Sequence, residues 1–109
     1  MTKNNHCLNS ITTAIIYHDD FLLHDVGQSH PEKPLRLEST TKSLRENLIS
    51  NSIIWKEATI PENNLITSVH TKDYFSYINS LVNLDSLKAL DGDTVVCKDT
   101  PKAAKLAVG

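Results

Sequence analysis

The chain has 109 residues, with 11 Lys and Arg against 13 Asp and Glu, and its formal net charge is −2. This length fits one small domain at most, and the near-zero charge argues against a nucleic-acid partner, because phosphate binding usually needs a clustered basic face. No apolar run approaches the roughly 20 residues of a membrane span, and the polar first ten residues lack the apolar core of a secretory signal. Cys7 and Cys97 are too few for a disulfide framework. Composition therefore predicts a reduced, cytoplasmic chain with no nucleic-acid or membrane partner.

The first half of the chain predicts a strand, a loop and a helix. Residues 1–10 are predicted to be a disordered polar N-terminus. Residues 11–17, ITTAIIY, are β-branched and apolar, which predicts a buried strand. Residues 18–34 are rich in Gly, Pro, Asp and His, which predicts a long ordered loop. Residues 35–49 predict an amphipathic helix. Its apolar face consists of Leu37, Leu44 and Leu48.

The second half predicts one more strand and several helices. Residues 52–60 read as a strand, and Pro61 with Glu62 suits the first turn of a short helix. Thr71 can cap a further helix over residues 72–82. The apolar positions of these two helices are Leu65, Ile66, Val69, Tyr74, Ile78, Leu81 and Val82.

Residues 83–100 follow neither a helical nor a strand pattern, and the residues after them predict a helix. Asp91 and Gly92 predict a turn, and Thr100 followed by Pro101 predicts the cap and first residue of a final helix. The element order predicts an α/β fold with a parallel sheet. Because only two strands are convincing, we expect them to belong to a larger sheet.

The densest polar cluster lies in the loop that follows the first strand. Its members are His18, Asp19, Asp20, His24, Asp25 and His30. Such residues can bind zinc and similar ions, but the spacing matches no short metal motif. The favoured interpretation is that these side chains cap turns and bind loop backbone.

Three further segments could support function. Residues 27–37 form a stiff loop that places Arg36 at a helix start, where it either serves a site or simply pairs with an acid. Residues 68–78 carry an aromatic group that is expected to pack in the core, and His70 is expected to be a structural hydrogen-bonder. Residues 90–94, LDGDT, predict an ordinary turn, although a calcium loop or a carboxylate at a pocket rim stays open. The aromatic group consists of Tyr74, Phe75 and Tyr77.

These segments, in this order, resemble the N-terminal part of the zinc-dependent histone deacetylase and acetylpolyamine amidohydrolase family, of the bacterial, class II-like type. The matching text is IIYHDDFLLHDVGQSHPEKPLRL, then LITSVHTKDYFSYI, then LDGDTVV and AAKLAVG. The resemblance implies that residues 11–109 are the N-terminal portion of an arginase-like, three-layer, parallel-sheet fold that is incomplete in this chain.

The resemblance also assigns functional residues. Asp93, with Asp91 as the runner-up, matches an acidic residue that holds the substrate at the pocket rim. The first rim loop is matched by His30, Pro31 and Glu32, and Arg36 matches an arginine near a channel proposed for acetate release. The family's zinc ligands and catalytic residues follow the segment seen here. We therefore expect this chain to have no catalytic or metal-ligating residue and to bind no cofactor, whereas the complete family domain binds zinc.

The sequence departs from the family pattern after Val96, where Lys98 replaces the usual Pro and Lys102 the usual Glu. A lysine in the first helical turn gives up a favourable helix-dipole contact of about 0.3–1 kcal/mol. Two hypotheses follow. The chain is the inactive N-terminal part of a deacetylase that cleaves acetyl-lysine or acetylpolyamine amides, and its partner is the missing C-terminal part. Alternatively, it is a non-catalytic remnant or small interaction module.

Overall fold

The computed structural model of the protein describes residues 12–109, apart from the side chains of residues 48 and 49. The predicted polar N-terminus, residues 1–10, lies outside the described residues. The elements are β1 (Thr13–Tyr17), α1 (Pro34–Glu46), β2 (Ile53–Glu57), α2 (Asn63–Thr67), α3 (Lys72–Ser80), β3 (Lys88–Ala89), β4 (Val95–Val96) and α4 (Thr100–Val108). Short 3₁₀ turns at Asp19–Leu23, Leu48–Ser52 and Leu81–Asn83 connect them. Within residues 12–109, no helix is long and apolar enough to cross a membrane.

Strands β1 and β2 are parallel, as the sequence predicted for the sheet, and among the described residues they form a two-stranded sheet of their own. Thr13 lies opposite Ile53 and Tyr17 opposite Glu57. One face of this small sheet is half-buried, and the Arg45 guanidinium of α1 lies 3.8 Å from the centre of the Trp55 ring on that face. The other face is open. Its Ile16 and Ile54 side chains are 57% and 47% exposed.

A small apolar core surrounds α4 rather than the sheet. Pro101 is fully buried there, and Ala103 and Leu106 are 8% and 3% exposed. α4 packs against the 3₁₀ turns Asp19–Leu23 and Leu81–Asn83 as well as against α2. The remaining buried apolar residues are Val26, Ala58, Ile66, Leu81 and Val96.

The predicted loop over residues 18–34 is wrong at both of its ends. It begins with the 3₁₀ turn Asp19–Leu23, because the His18 side chain accepts a hydrogen bond from the Asp20 N–H at 3.0 Å and caps that turn. It ends at Lys33, since Pro34 is already the first residue of α1. The backbone N–H at the first position of a helix has no partner within the helix, so a proline, which lacks that N–H, is tolerated there.

Several predicted helix bounds and faces also differ. α1 ends at Glu46 rather than near Ser50, and α3 ends at Ser80 before a 3₁₀ turn. α2 begins at Asn63, so that Pro61 precedes it, and α4 begins at Thr100 rather than at Pro101. Of the predicted apolar positions in and just after α2, only Ile66 is buried, whereas Leu65 and Val69 are 57% and 80% exposed.

The expectation that the aromatic residues of α3 pack in the core is wrong for two of them. Tyr74 and Tyr77 are 49% and 42% exposed, and Val82 just beyond the helix is 50% exposed. The cap prediction is confirmed, since the Thr71 side chain accepts a hydrogen bond from the Tyr74 N–H at 3.2 Å. α3 therefore begins where its capping residue predicts, but no described element covers these side chains. Capping depends on neighbouring residues, whereas burial depends on other elements.

Candidate functional site

The predicted rim residues His30, Pro31 and Glu32 lie in the segment 24–33, which we call the rim loop. This loop is shaped by side chains that bind its own backbone. Asp25 Oδ1 accepts a hydrogen bond from the Gly27 N–H at 3.1 Å, and Gly27 has a φ of +103°, which side chains rarely allow. Three residues on, His30 Nδ1 accepts a hydrogen bond from the Glu32 N–H at 3.0 Å. These contacts confirm the turn-capping interpretation of the polar cluster for Asp25 and His30, as His18 does for the preceding turn.

The LDGDT segment is the predicted turn, and it joins β3 to β4 in an antiparallel hairpin. Asp91 Oδ1 accepts hydrogen bonds from the Asp93 and Thr94 N–H groups, both at 2.8 Å. These donors, the Asp93 N–H first, hold the pKa of the Asp91 carboxyl below its ordinary value. Asp91 is therefore committed to the turn. The Asp93 carboxylate, by contrast, is 96% exposed and available to a ligand.

The rim loop and the hairpin turn meet through His30. Because Nδ1 accepts from the Glu32 N–H, the ring proton lies on Nε2, and Nε2 donates to the Asp93 carbonyl oxygen at 3.1 Å. The same nitrogen lies 3.7 Å from Asp93 Oδ1. The fold thus brings together two predicted site segments that are 63 residues apart in sequence.

A second histidine joins the rim loop to α4. His24 Nε2 lies 3.2 Å from Glu32 Oε2, and His24 Nδ1 lies 2.7 Å from the Thr100 hydroxyl. Thr100 Oγ1 also accepts a hydrogen bond from the Cys97 N–H at 2.9 Å. The sequence pattern predicts only that His24 belongs to the polar cluster and that Thr100 caps a helix. No spacing rule connects residues so far apart, so only the tertiary structure shows this contact.

Lys102, one of the departures from the family pattern, has a specific partner. Its Nζ lies 2.7 Å from Asp20 Oδ2 in the 3₁₀ turn after β1. The hydrogen bond to Lys102 lowers the pKa of the Asp20 carboxyl, and the same bond raises the pKa of the Lys102 amine. The lysine gives up a contact with the helix dipole but joins α4 to the turn that precedes the rim loop.

This ion pair predicts a pH dependence of stability. A carboxyl whose pKa is lower in the folded chain stabilises the fold fully above its unfolded pKa of about 4, and that contribution is lost as the pH falls further. We expect the free energy of unfolding to fall between about pH 5 and pH 3, and Asp20→Asn to make this fall smaller. Urea titrations at both pH values measure the effect, with Asp85→Asn in an exposed segment as the control. An unchanged fall in Asp20→Asn contradicts the prediction.

Arg36 lies in the first turn of α1, beside a cavity of about 280 Å³. His24, Glu32 and Lys33 also line this cavity. No residue of the LDGDT turn lines this cavity, so Arg36 and Asp93 do not share it. Pro31 lies exposed within the rim loop. The roles predicted for Arg36, Pro31 and the other site residues stay predictions.

The described residues do not fit a zinc ion. Among residues 12–109, no three His, Cys, Asp or Glu side chains are grouped closely enough to hold a metal. Ring nitrogens of His18, His24 and His30 instead contact backbone, hydroxyl or carboxylate groups.

No family model matches the sequence. Among curated proteins, the chain is 35% identical over 98 residues to an uncharacterized protein of Synechocystis, a match that spans 87% of this chain and 32% of that protein. It is 30% identical over 103 residues to a protein of Archaeoglobus fulgidus named a probable deacetylase, spanning 91% of this chain and 28% of that protein. The chain therefore spans about a third or less of the length of these relatives.

A solved structure extends the comparison to the fold. The chain superimposes on the crystal structure of the HDA15 HD domain with a TM-score of 0.77 and 22% identity. The match covers 89% of this chain and 29% of that one. The chain therefore has the fold of part of a deacetylase-type HD domain, and its parallel strand pair belongs to that fold.

Proposed function

We propose that this chain is the N-terminal part of a zinc-dependent amidohydrolase of the histone deacetylase type, with the arginase-like three-layer architecture. The complete protein would hydrolyse the amide of an acetylated lysine or polyamine. The contact between the rim loop and the LDGDT turn carries the proposal, because the family resemblance assigns both segments to one pocket mouth and His30 joins them at 3.1 Å. The similarity to the probable deacetylase over 103 residues supports it.

The role of this chain's own residues in that protein is to bind substrate. The exposed Asp93 carboxylate can accept a hydrogen bond from a substrate amide or bind a cationic amine. His30 fixes the backbone of Asp93, and Asp91 fixes the turn that presents it. Because the described residues do not fit zinc, we assign no step of the amide hydrolysis to them.

The open surface supports a partner that completes the domain. Parallel sheets are normally covered on both faces, yet one face of the β1–β2 pair is open. Large apolar side chains from all parts of the described chain are 42–80% exposed. They include Ile16, Leu35, Ile54, Leu65, Val69 and Tyr74. Polypeptide equivalent to the rest of the HD domain is the partner that this surface fits.

Two experiments test the proposal. The purified 109-residue chain, incubated with an acetyl-lysine peptide with and without zinc, is expected to release no acetate, and zinc-dependent release would contradict it. The DNA that follows the codon for Gly109 is expected to encode, in frame or shifted, the tandem His and Asp-x-His motifs that the resemblance implies. Their absence, together with cooperative unfolding of the isolated chain, would favour the alternative of a non-catalytic module.

The predicted role of Asp93 is tested in a chimera. This chain replaces the matching segment of the Archaeoglobus probable deacetylase, and an active chimera is used to compare variants. We expect Asp93→Asn to lower kcat/KM by roughly tenfold or more, since a hydrogen bond to a charged group contributes about 1.5–3 kcal/mol. Asp85→Asn is the control. Equal kcat/KM in the two variants contradicts the role of Asp93.

A further inference from the structure

Glu32, His24 and Thr100 form a hydrogen-bonded series, which we call the hydroxyl relay. A carboxylate can only accept, so the 3.2 Å contact with Glu32 Oε2 places the proton of a neutral His24 on Nε2. His24 Nδ1 is then an acceptor. Thr100 Oγ1, 2.7 Å away, donates its proton to that nitrogen while it accepts the Cys97 N–H. The alternative acceptor, Cys97 Sγ, is farther away at 3.5 Å.

This order of groups matches the arrangement that activates a hydroxyl nucleophile: carboxylate, imidazole, hydroxyl. The carboxylate orients the ring, and the ring removes the hydroxyl proton as the oxygen attacks. The Cys97 N–H points at the same oxygen and stabilises negative charge that develops on it. Thr71, another hydroxyl at a helix start, accepts only from the backbone N–H of Tyr74 and shows no contact with an imidazole.

Thr100 also borders an apolar groove that can hold a small ligand. The groove has a volume of about 290 Å³ and lies between α3, α4 and the β3–β4 hairpin. Besides Thr100, its walls include Ile66, Phe75, Ile78, Pro101 and Ala104. Most of its lining is apolar, with His70 and Lys105 among the polar exceptions and neither Asp nor Glu, so the groove suits an apolar acyl group.

We propose that Thr100 is an acyl-accepting nucleophile and that the groove beside it takes short-chain acyl esters. In the first step Thr100 Oγ1 attacks the ester carbonyl, His24 Nδ1 takes the hydroxyl proton, and the ester C–O bond breaks. His24 gives that proton to the departing alcohol, which leaves an acyl-Thr100 ester. In the second step water attacks the carbonyl carbon of this ester and gives a proton to His24. The bond between that carbon and Thr100 Oγ1 breaks, His24 passes the proton to Thr100 Oγ1, and the acid is released. Neither step uses zinc, so the inference is independent of the proposed amide hydrolysis.

The test uses the 109-residue chain and p-nitrophenyl acetate as the probe. We expect a burst of p-nitrophenol and, by peptide mass spectrometry, one acetyl group on Thr100. Alkaline hydroxylamine should remove this group, because it cleaves an ester and leaves an acetylated lysine intact. Neutral hydroxylamine should not remove it, which distinguishes the Thr100 ester from a thioester on Cys97. We expect His24→Gln to slow this acetylation by about 10²-fold or more, because a general base contributes 10²–10⁴-fold. Thr100→Ser should retain the reaction, and Thr100→Val should abolish it.

The control variant is Thr67→Val, which removes a hydroxyl that donates to the Asn63 carbonyl oxygen at 3.2 Å rather than to an imidazole. This variant should react like the unaltered chain. If the unaltered chain is acetylated only on lysines, that result alone overturns the proposal. A folded His24→Gln chain that acetylates Thr100 at an undiminished rate also overturns the proposal, because a His24 with a purely structural role would affect stability and not this rate.

Discussion

Leu106→Ala is expected to lower the free energy of unfolding by about 2–5 kcal/mol, the range for removing a buried leucine side chain. Leu106 is 3% exposed and lies in α4, around which the small core is built. Few other apolar residues are buried in the described chain, so little packing remains to close the space that the leucine leaves. The effect should therefore be large relative to the stability of a chain of this size.

Urea unfolding followed by circular dichroism measures this change. Val108→Ala in the same helix is the control, since Val108 is 53% exposed and its truncation should cost less than about 0.5 kcal/mol. Equal midpoints for the two variants would show that α4 does not form the core of the isolated chain.

Gly27→Ala is expected to lower the free energy of unfolding by about 1–3 kcal/mol, through backbone strain rather than a clash. Gly27 has a φ of +103°, whereas the nearest atom to a Cβ at this position, Leu87 Cδ1, would be 3.7 Å away, an ordinary contact. Relief of the strain would move the rim loop and weaken the bond from His30 to Asp93. The variant should therefore also change the NMR shifts of the His30 ring.

Gly92→Ala provides a matched control in the hairpin turn. Gly92 has no atom within 4 Å of an added Cβ, and its φ is not positive. Its replacement should leave both the stability and the His30 shifts close to those of the unaltered chain. A Gly27→Ala chain that behaves like Gly92→Ala would show that the rim loop does not need the positive φ.

Much of the local structure could be predicted because it depends on neighbouring residues. The β-branched run before His18 became β1, Thr71 capped α3, and Asp91 closed its own turn. The first and last residues of helices were less predictable. A proline can either precede a helix or begin it, as at Pro34, and a short 3₁₀ turn can be mistaken for a continuing helix, as after Glu46.

Burial could not be predicted in the same way. Tyr74 and Tyr77 have the spacing of a core-facing stripe, yet both are exposed. Helical periodicity identifies an apolar face, but whether anything covers that face depends on other elements. The candidate site shows the same division: family resemblance selected His30 and Asp93, but their hydrogen bond exists only after the loop and the hairpin meet.

The sequence by itself determined the two longer strands, the helix cap, the turn at Asp91 and the resemblance that selected the rim residues, because each depends on interactions over a few residues or on motif order. Only the tertiary structure decided that Lys102 pairs with Asp20, that Asp91 is committed to its turn while Asp93 is free, and that His24 joins Glu32 to Thr100. The physical reason is that charges and hydrogen-bonding groups act over a few ångströms in space, and chain folding alone determines which distant residues come that close.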